Sequence, residues 1–281
     1  MLLQGLLYTP ASSSKEAVIF VHGATGNFYQ DRFIDSMAKK FTEKGYTFLA
    51  ANNRGHDFIS MIPVVGTAEY KKIGAAFETF TDCILDIKAM IDFLEKEGYT
   101  KFVLIGHSLG ASKVAFYQSQ KVDKRVKKII FISPIPVVDI YNTDPSHHAL
   151  EKQATELIGQ GRTEEIMDNK LLGWVYICPT TYLQYGVVSG AADIFNTKKI
   201  TQNSPLSKIT VPIVVVWGDK DELCNLISIP QCISVVKQEA INTTVNVEII
   251  QGAGHTYEGF EKILSEKINN FLDCHLKISV F

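Results

Sequence analysis

The sequence predicts an α/β fold built on a mainly parallel central sheet with flanking helices. Three observations carry that prediction. Short, largely apolar runs without polar alternation recur at residues 17–21, 128–133 and 211–217, the pattern of strands buried on both faces. Segments with apolar residues at helical spacing separate them, which calls for right-handed crossovers between parallel strands. At residues 101–120, KFVLIGHSLGASKVAFYQSQ, one apolar strand passes through a very tight turn straight into a helix.

Residues 2–9 read as a first strand, broken by Pro10 and a polar turn. The strand at 17–21 follows and ends in His22-Gly23-Ala24-Thr25-Gly26-Asn27, a glycine-bearing loop free to turn backbone N–H groups toward a ligand. Residues 30–44 set Phe33, Ile34, Met37, Ala38 and Phe41 on one helical face, and Gly45 stops it. A strand at 47–51 then runs into Asn52-Asn53-Arg54-Gly55-His56-Asp57. Residues 59–76 read as loop. Residues 77–96 form a long amphipathic helix through Phe80, Ile84, Ile87, Met90, Ile91 and Leu94, closed by Gly98. It leads into the strand and turn at 101–110. The strand at 128–133 is stopped by Pro134 and Pro136.

The rhythm changes after Ile135. Between residues 137 and 209 no strand pattern stands out; 146–158 and 163–167 read as helices, followed by a stretch holding Trp174, Tyr176, Tyr182, Tyr185 and Phe195. A structureless loop of that length does not fit a compact domain. The expectation is therefore a core of residues 1–136 and 210–281, with residues 137–209 as a helical cap lying over the strand ends. An extra helical layer away from any site is the plainer alternative, since aromatic residues at helical spacing usually pack as core. Strand pattern resumes at 211–217 and runs into Gly218-Asp219-Lys220-Asp221-Glu222. A helix at 230–240, a strand at 245–250, the loop Gly252-Ala253-Gly254-His255 and a closing helix at 257–272 complete the chain.

Net charge is −2 and the basic residues are scattered, so no electrostatic footprint for nucleic acid or an acidic membrane is present. Five cysteines, Cys83, Cys178, Cys224, Cys232 and Cys274, form no CxxC pair and read as reduced thiols. The opening MLLQGLLYTP lacks the basic start and long apolar centre of a signal peptide, and no apolar run reaches the ~18–20 residues of a membrane span. A cytoplasmic protein is expected.

Ser108 stands at the apex of the tight turn, where the backbone must adopt a strained, positive φ that lifts the hydroxyl clear. The glycines at 106 and 110 answer a steric need, because side chains there would collide with the elements that the turn presses together. Serine is a poor nucleophile at neutral pH and needs a base within reach, for which histidine is suited; the base in turn needs an acid to fix its tautomer. Ser108, Asp221 and His255 each follow a predicted strand, where parallel sheets gather their functional loops. Asp219 and Glu222 are neighbouring carboxylates in the acid loop.

The HG loop (His22, Gly23), the GHSLG turn, GDKDE after the next-to-last strand and GAGH before the final helix together resemble the α/β-hydrolase superfamily over nearly the full chain. More narrowly, HGATGNFYQ with NNRGHD resembles a group of esterase-like members, some of whose fungal representatives act on ester-linked siderophores. The HGxTGN loop is also similar to feruloyl-type esterases. The resemblance implies a serine hydrolase with Ser108 as nucleophile and His255 as base. It selects Asp221, three residues after Gly218, as the acid and leaves Asp219 to orient the loop. It implies an oxyanion hole of the backbone N–H groups of Leu109 and Ala24, with Thr25 as the nearest alternative to Ala24. No metal or organic cofactor is required, and the expected partner is a small-molecule ester. The same residues would serve a thioesterase, a lactonase, an acyltransferase or a small peptidase. Readings of other classes are a non-catalytic ligand-binding protein on this fold and an interaction protein whose insertion binds a partner.

Remaining residues that draw the eye have plainer expected roles. His22 is expected to shape the oxyanion loop, His107 to pack beside the turn, and His56 to order its loop. His147 and His148 are adjacent on a helix with no third ligand evident nearby, so a solvated surface is expected rather than a metal. Cys224 is expected to be a buried thiol.

Overall fold

The computed structural model describes residues 1–12, 14–186, 190–198 and 204–273. In chain order it runs β1 (Gly5–Tyr8), β2 (Glu16–Val21), α1 (Arg32–Glu43), β3 (Thr47–Ala51), β4 (Ser60–Pro63), β5 (Tyr70–Ile73), α2 (Cys83–Lys96), β6 (Lys101–His107), α3 (Leu109–Lys121) and β7 (Val126–Ile132). It continues through α4 (Val137–Thr143), α5 (His147–Gly159), α6 (Pro179–Gly186), β8 (Ile213–Gly218), α7 (Ile229–Glu239), β9 (Val245–Ile250) and α8 (Glu261–Asp273). Seven strands make one sheet in the order β1-β3-β2-β6-β7-β8-β9. All neighbours are parallel except β1, which pairs antiparallel with β3 at the edge.

The apolar strands are buried on both faces because each face has its own helices. On one side Ile87, Met90 and Leu94 of α2, Val114 and Tyr117 of α3, and Ile229 and Val236 of α7 pack on Ile19, Leu104, Phe131 and Val215. On the other, Phe33, Met37 and Phe41 of α1 and Leu264 and Ile268 of α8 cover Phe20, Phe48, Ile105 and Val216. A third cluster gathers Phe80 and Leu109 under Tyr141, Leu150, Ala154, Leu157, Tyr182 and Tyr185 of α4, α5 and α6. These helices thus pack on the start of α3, beside the turn at Ser108.

Four local expectations are corrected. The helix expected over 77–96 starts at Cys83, with only a single 3-10 turn at Phe80–Asp82 before it. Residues 59–76 are not all loop, because β4 and β5 form a two-stranded antiparallel hairpin joined to no other strand. Residues 163–167 are not helical. Met167 N–H donates to Ile177 O instead, and Leu171 bridges Val175, so cross-chain bonds replace helical ones. The last helix starts at Glu261, not 257, because Tyr257 and Gly259 take positive φ (55° and 79°). That turn drives the Tyr257 ring into the sheet, where its hydroxyl donates to Val216 O and meets Ser133 Oγ. Residues 187–189, 199–203 and Cys274, on which parts of the insertion and cysteine expectations fall, lie outside the described residues.

Candidate active site

The turn between β6 and α3 has the backbone its sequence requires. Ser108 sits at φ 55°, ψ −124° and makes no capping hydrogen bond to α3 with its side chain. Strain of this kind is worth about 1–3 kcal/mol and persists only where packing enforces it. The packing is visible at the flanking glycines. A Cβ at Gly106 would lie 2.4 Å from Gly110 O, and one at Gly110 only 2.1 Å from Val21 O. A Cβ at Gly23 would lie 2.8 Å from Ser108 Cβ, so the loop after β2 comes directly against the serine.

That loop is held by His22. Its Nε2 accepts from Asn53 N–H (3.0 Å), which puts the ring proton on Nδ1, donated to Gly23 O (2.8 Å). Asn53 returns its side-chain N–H to His22 O. Burial, reinforced by the Lys113 charge, pushes the His22 imidazole down to about 3, so the ring stays neutral in this arrangement. His56 pairs with Asp57 (2.8 Å), and Thr25 and His56 form an isolated bridge that ties the loops after β2 and β3 together.

At the other side of Ser108, β8 and β9 deliver the acid and histidine loops. Asp221 is fully buried, and its Oδ1 accepts from the N–H groups of Leu223 and Cys224 (3.1 and 3.0 Å). His255 Nδ1 lies 3.0 Å from Asp221 Oδ2. Burial alone would raise this carboxyl, but the hydrogen bond and charge of His255, with Cys224 N–H, hold it at about 2. Asp219 instead accepts from Gly252 N–H and so joins the two loops, while Glu222 Oε2 accepts from His255 N–H (3.0 Å). His107 Nε2 donates to His255 O (2.9 Å), with the two rings 4.9 Å apart, and burial pushes its imidazole down to about 3 as well. Cys224 is buried, its Sγ against Pro134 O and its thiol pushed well up, first by Cys232 and then by burial.

His22 and His107 make stability pH-dependent. Each has its folded-state pKa depressed from 6.5 to about 3, so its contribution is complete above pH 6.5 and is lost as pH falls from 6.5 toward 3. Two such groups remove about 5 kcal/mol between pH 7 and pH 4.5. The thermal midpoint is expected to be flat above pH 6.5 and to fall steeply below it. A midpoint unchanged from pH 7 to 4.5 would contradict this account of the two rings.

Ser108, His255, Ala24 and Leu109 all line one cavity of about 410 Å³, a volume suited to a small-molecule ligand. Its walls are mainly apolar: Val137, Ile140, Leu171, Val175 and Ile177 come from the segment after β7. Of the aromatic residues singled out in that segment, Trp174 and Tyr185 line the cavity. Tyr182 stacks on Tyr141 and Phe195 packs on Phe131 instead. Two residues not anticipated from sequence join this site: Glu78, which lines the cavity, and Lys113, which ties it to Asn53 of the NNRGHD loop. Glu78 forms a buried ion pair with Lys113 Nζ (2.5 Å), and Lys113 also donates to Asn53 Oδ1 (3.0 Å). The one sequence signal for this pair is a lysine four residues after Leu109, on the buried face of α3.

The third ligand judged missing beside His147 and His148 is present: Glu151, one helical turn on, brings one ligand atom within 4.8 Å of each. His148 and Glu151 are exposed, and His147 Nδ1 is taken up by the Tyr182 hydroxyl (2.7 Å). No helix among the described residues is long and apolar enough to cross a membrane.

Comparison with known proteins agrees with this architecture. The non-heme chloroperoxidase CPO-A1 of Kitasatospora aureofaciens is 23% identical over 262 residues, spanning 85% of this chain and 84% of that protein. Est1E from Butyrivibrio proteoclasticus, solved with ferulic acid bound, superposes with a TM-score of 0.67 at 20% identity, over 96% of this chain and 94% of its own. The siderophore hydrolase EstB from Aspergillus fumigatus gives a TM-score of 0.67 at 14% identity, with the same coverage. A family model for the alpha/beta hydrolase fold matches residues 16–172, more than half of the sequence. With the sheet order, the strained turn after β6 and this match in agreement, the chain belongs to the α/β-hydrolase family.

Proposed function

We propose that the protein is a serine hydrolase that cleaves carboxylic esters of small to medium acyl or aryl groups through an acyl-enzyme on Ser108. One observation carries this reading: Ser108 at its strained turn and His255 on its Asp221 partner open onto the same largely apolar cavity. In this mechanism His255 takes the Ser108 proton as Oγ attacks the ester carbonyl, while ionised Asp221 fixes the histidine tautomer and stabilises the imidazolium. The N–H groups of Leu109 and Ala24 receive the oxyanion, each contributing about 3 kcal/mol. Collapse breaks the ester C–O bond, and His255 returns the proton to the departing alcohol. Water, deprotonated by His255, then attacks the acyl carbon, and the acyl–Oγ bond breaks as His255 returns the proton to Ser108 Oγ and the acid leaves.

Residues 137–209 act as a cap, since their side chains supply much of the cavity wall. The ferulic acid bound to Est1E and the siderophore hydrolase name of EstB support esters as the substrate class. Thioester and lactone hydrolysis use the same groups, and transfer to an alcohol replaces hydrolysis only where the cap keeps water out.

The test is turnover of p-nitrophenyl esters from acetyl to dodecanoyl, with one aryl ester, by wild type and Ser108→Ala. Wild type is expected to favour acyl groups that fit the cavity, and the variant to lose about 10⁶-fold in kcat. An unchanged rate in Ser108→Ala, or no hydrolysis of any ester by wild type, would overturn the reading.

A further inference from the structure

The cavity is mainly apolar; Thr25, Gln30, Asp31, Glu222 and Thr256 line it as polar residues from the loops that carry Ala24, Asp221 and His255, and Glu78 is a further polar group that the mechanism above does not use. Glu78 lines it and is only 4% exposed. One oxygen of its carboxylate pairs with Lys113, and the other accepts from the Tyr185 hydroxyl at 2.7 Å. A carboxylate offers about four acceptor positions, so two remain. The space is prepared for it: a Cβ at Gly55 would fall within 2.3–2.5 Å of the carboxylate atoms. Tyr185 and Tyr141 both line the cavity beside it. The Tyr141 ring lies 6.3 Å from that of Tyr185, and its hydroxyl has no hydrogen-bond partner among the described residues. Burial, with Glu78 nearby, pushes both phenols well up, so both keep their protons and can donate.

The position of Glu78 says which part of an ester would reach it. Asn53, to which Lys113 is tied, follows β3, two strands from β6 on one side; Asp221 follows β8, two strands away on the other. His255 must deliver a proton to the leaving oxygen, so the alcohol half lies toward the β8–β9 side. The acyl half points toward Glu78. Charge selects the partner chemistry. Lys113 neutralises Glu78, so a cation gains little there, and an anion meets a carboxylate. A hydroxyl suits both groups, donating to a free Glu78 position and accepting from Tyr141.

We infer that Glu78, Tyr185 and Tyr141 form a specificity subsite that takes a hydroxyl carried by the acyl group. This rests on the esterase reading, which it narrows to hydroxylated acyl esters.

The experiment uses methyl esters of matched acids differing by one distal hydroxyl: straight-chain acids with and without a terminal hydroxyl, and phenylpropanoic acid with and without a ring hydroxyl. At the best-fitting length, wild type is expected to favour the hydroxylated ester about tenfold or more in kcat/KM, chiefly through KM. Tyr141→Phe and Glu78→Gln are each expected to shrink that ratio at least fivefold. Tyr141→Phe is the cleaner variant, because Glu78→Gln also strands Lys113. Calorimetric binding of the paired free acids reads the same preference without turnover. Equal kcat/KM values at every length, equal affinities for the paired acids, or an unchanged ratio in Tyr141→Phe would overturn the subsite. Absent ester turnover with a retained preference for the hydroxylated acid would overturn the esterase reading and support the subsite.

Discussion

Ser108→Gly is expected to abolish ester hydrolysis and, at the same time, to make the protein more stable. The activity loss follows from removing the only atom that attacks substrate in the proposed mechanism, and losses of about 10⁶-fold accompany deletion of such a nucleophile. The stability gain has a separate cause. Ser108 holds φ 55°, ψ −124°, and its side chain gives no cap to α3, so nothing structural is lost with the hydroxyl. Glycine adopts this conformation freely, relieving about 1–3 kcal/mol of strain. Its extra freedom in the unfolded chain offsets somewhat under 1 kcal/mol of that. The net gain is about 1 kcal/mol, or roughly 2 °C in Tm for a chain of this size. Ser108→Ala is expected to lose the same activity without the gain, because alanine keeps the strain. Thermal melts of the three proteins beside their kinetics check both halves, and a glycine variant less stable than wild type would contradict the strain assignment.

Gly110→Ala is expected to do the opposite: it touches no reacting group, yet it should cost both fold and activity. Its added Cβ would lie 2.1 Å from Val21 O and 2.7 Å from His22 O. Both atoms are backbone, and Val21 belongs to a strand paired on both sides, so no side-chain rotation relieves the overlap. Either α3 lifts off β2 or the His22–Ala24 loop moves, and an overpacked core contact of this kind costs about 3 kcal/mol or more. A fall in Tm of about 6–10 °C is expected, with kcat reduced in the fraction that folds because the second oxyanion donor shifts. Gly159→Ala is the control: nothing lies within 4 Å of its added Cβ, and it should be neutral or slightly stabilising. Equal melting of the Gly110 and Gly159 variants would contradict the close packing of the turn.

Much of the fold could be read from the chain because its strands are buried on both faces. Runs such as VIFV, VLIG and IVVVW carry no polar alternation, and helical faces such as Phe33–Met37–Phe41 punctuate them. What escaped sequence reasoning lacked that pattern. The β4–β5 hairpin is built from SMIP and YKKI, two mostly solvated four-residue strands with a proline and two lysines, whose only strand partners are each other. Residues 163–167 follow a helix and read as another, but the Met167–Ile177 bond, which no local pattern encodes, sets their path. The same limit applies at the candidate site. Ser108, Asp221 and His255 were legible because each follows a strand with a glycine-marked loop. Glu78 was not, since its meaning depends on Lys113, Tyr185 and Gly55, 23 to 107 positions away in sequence yet around one carboxylate.

In the proposed mechanism Ser108 is the residue that becomes acylated, and covalent capture tests this most directly. Wild type and Ser108→Gly would be treated with a fluorophosphonate, weighed as intact proteins and mapped by peptide mass spectrometry. A single adduct on Ser108 in wild type, with none in the variant, is the predicted result. No adduct in active wild type, or the adduct on another residue in both proteins, would contradict it.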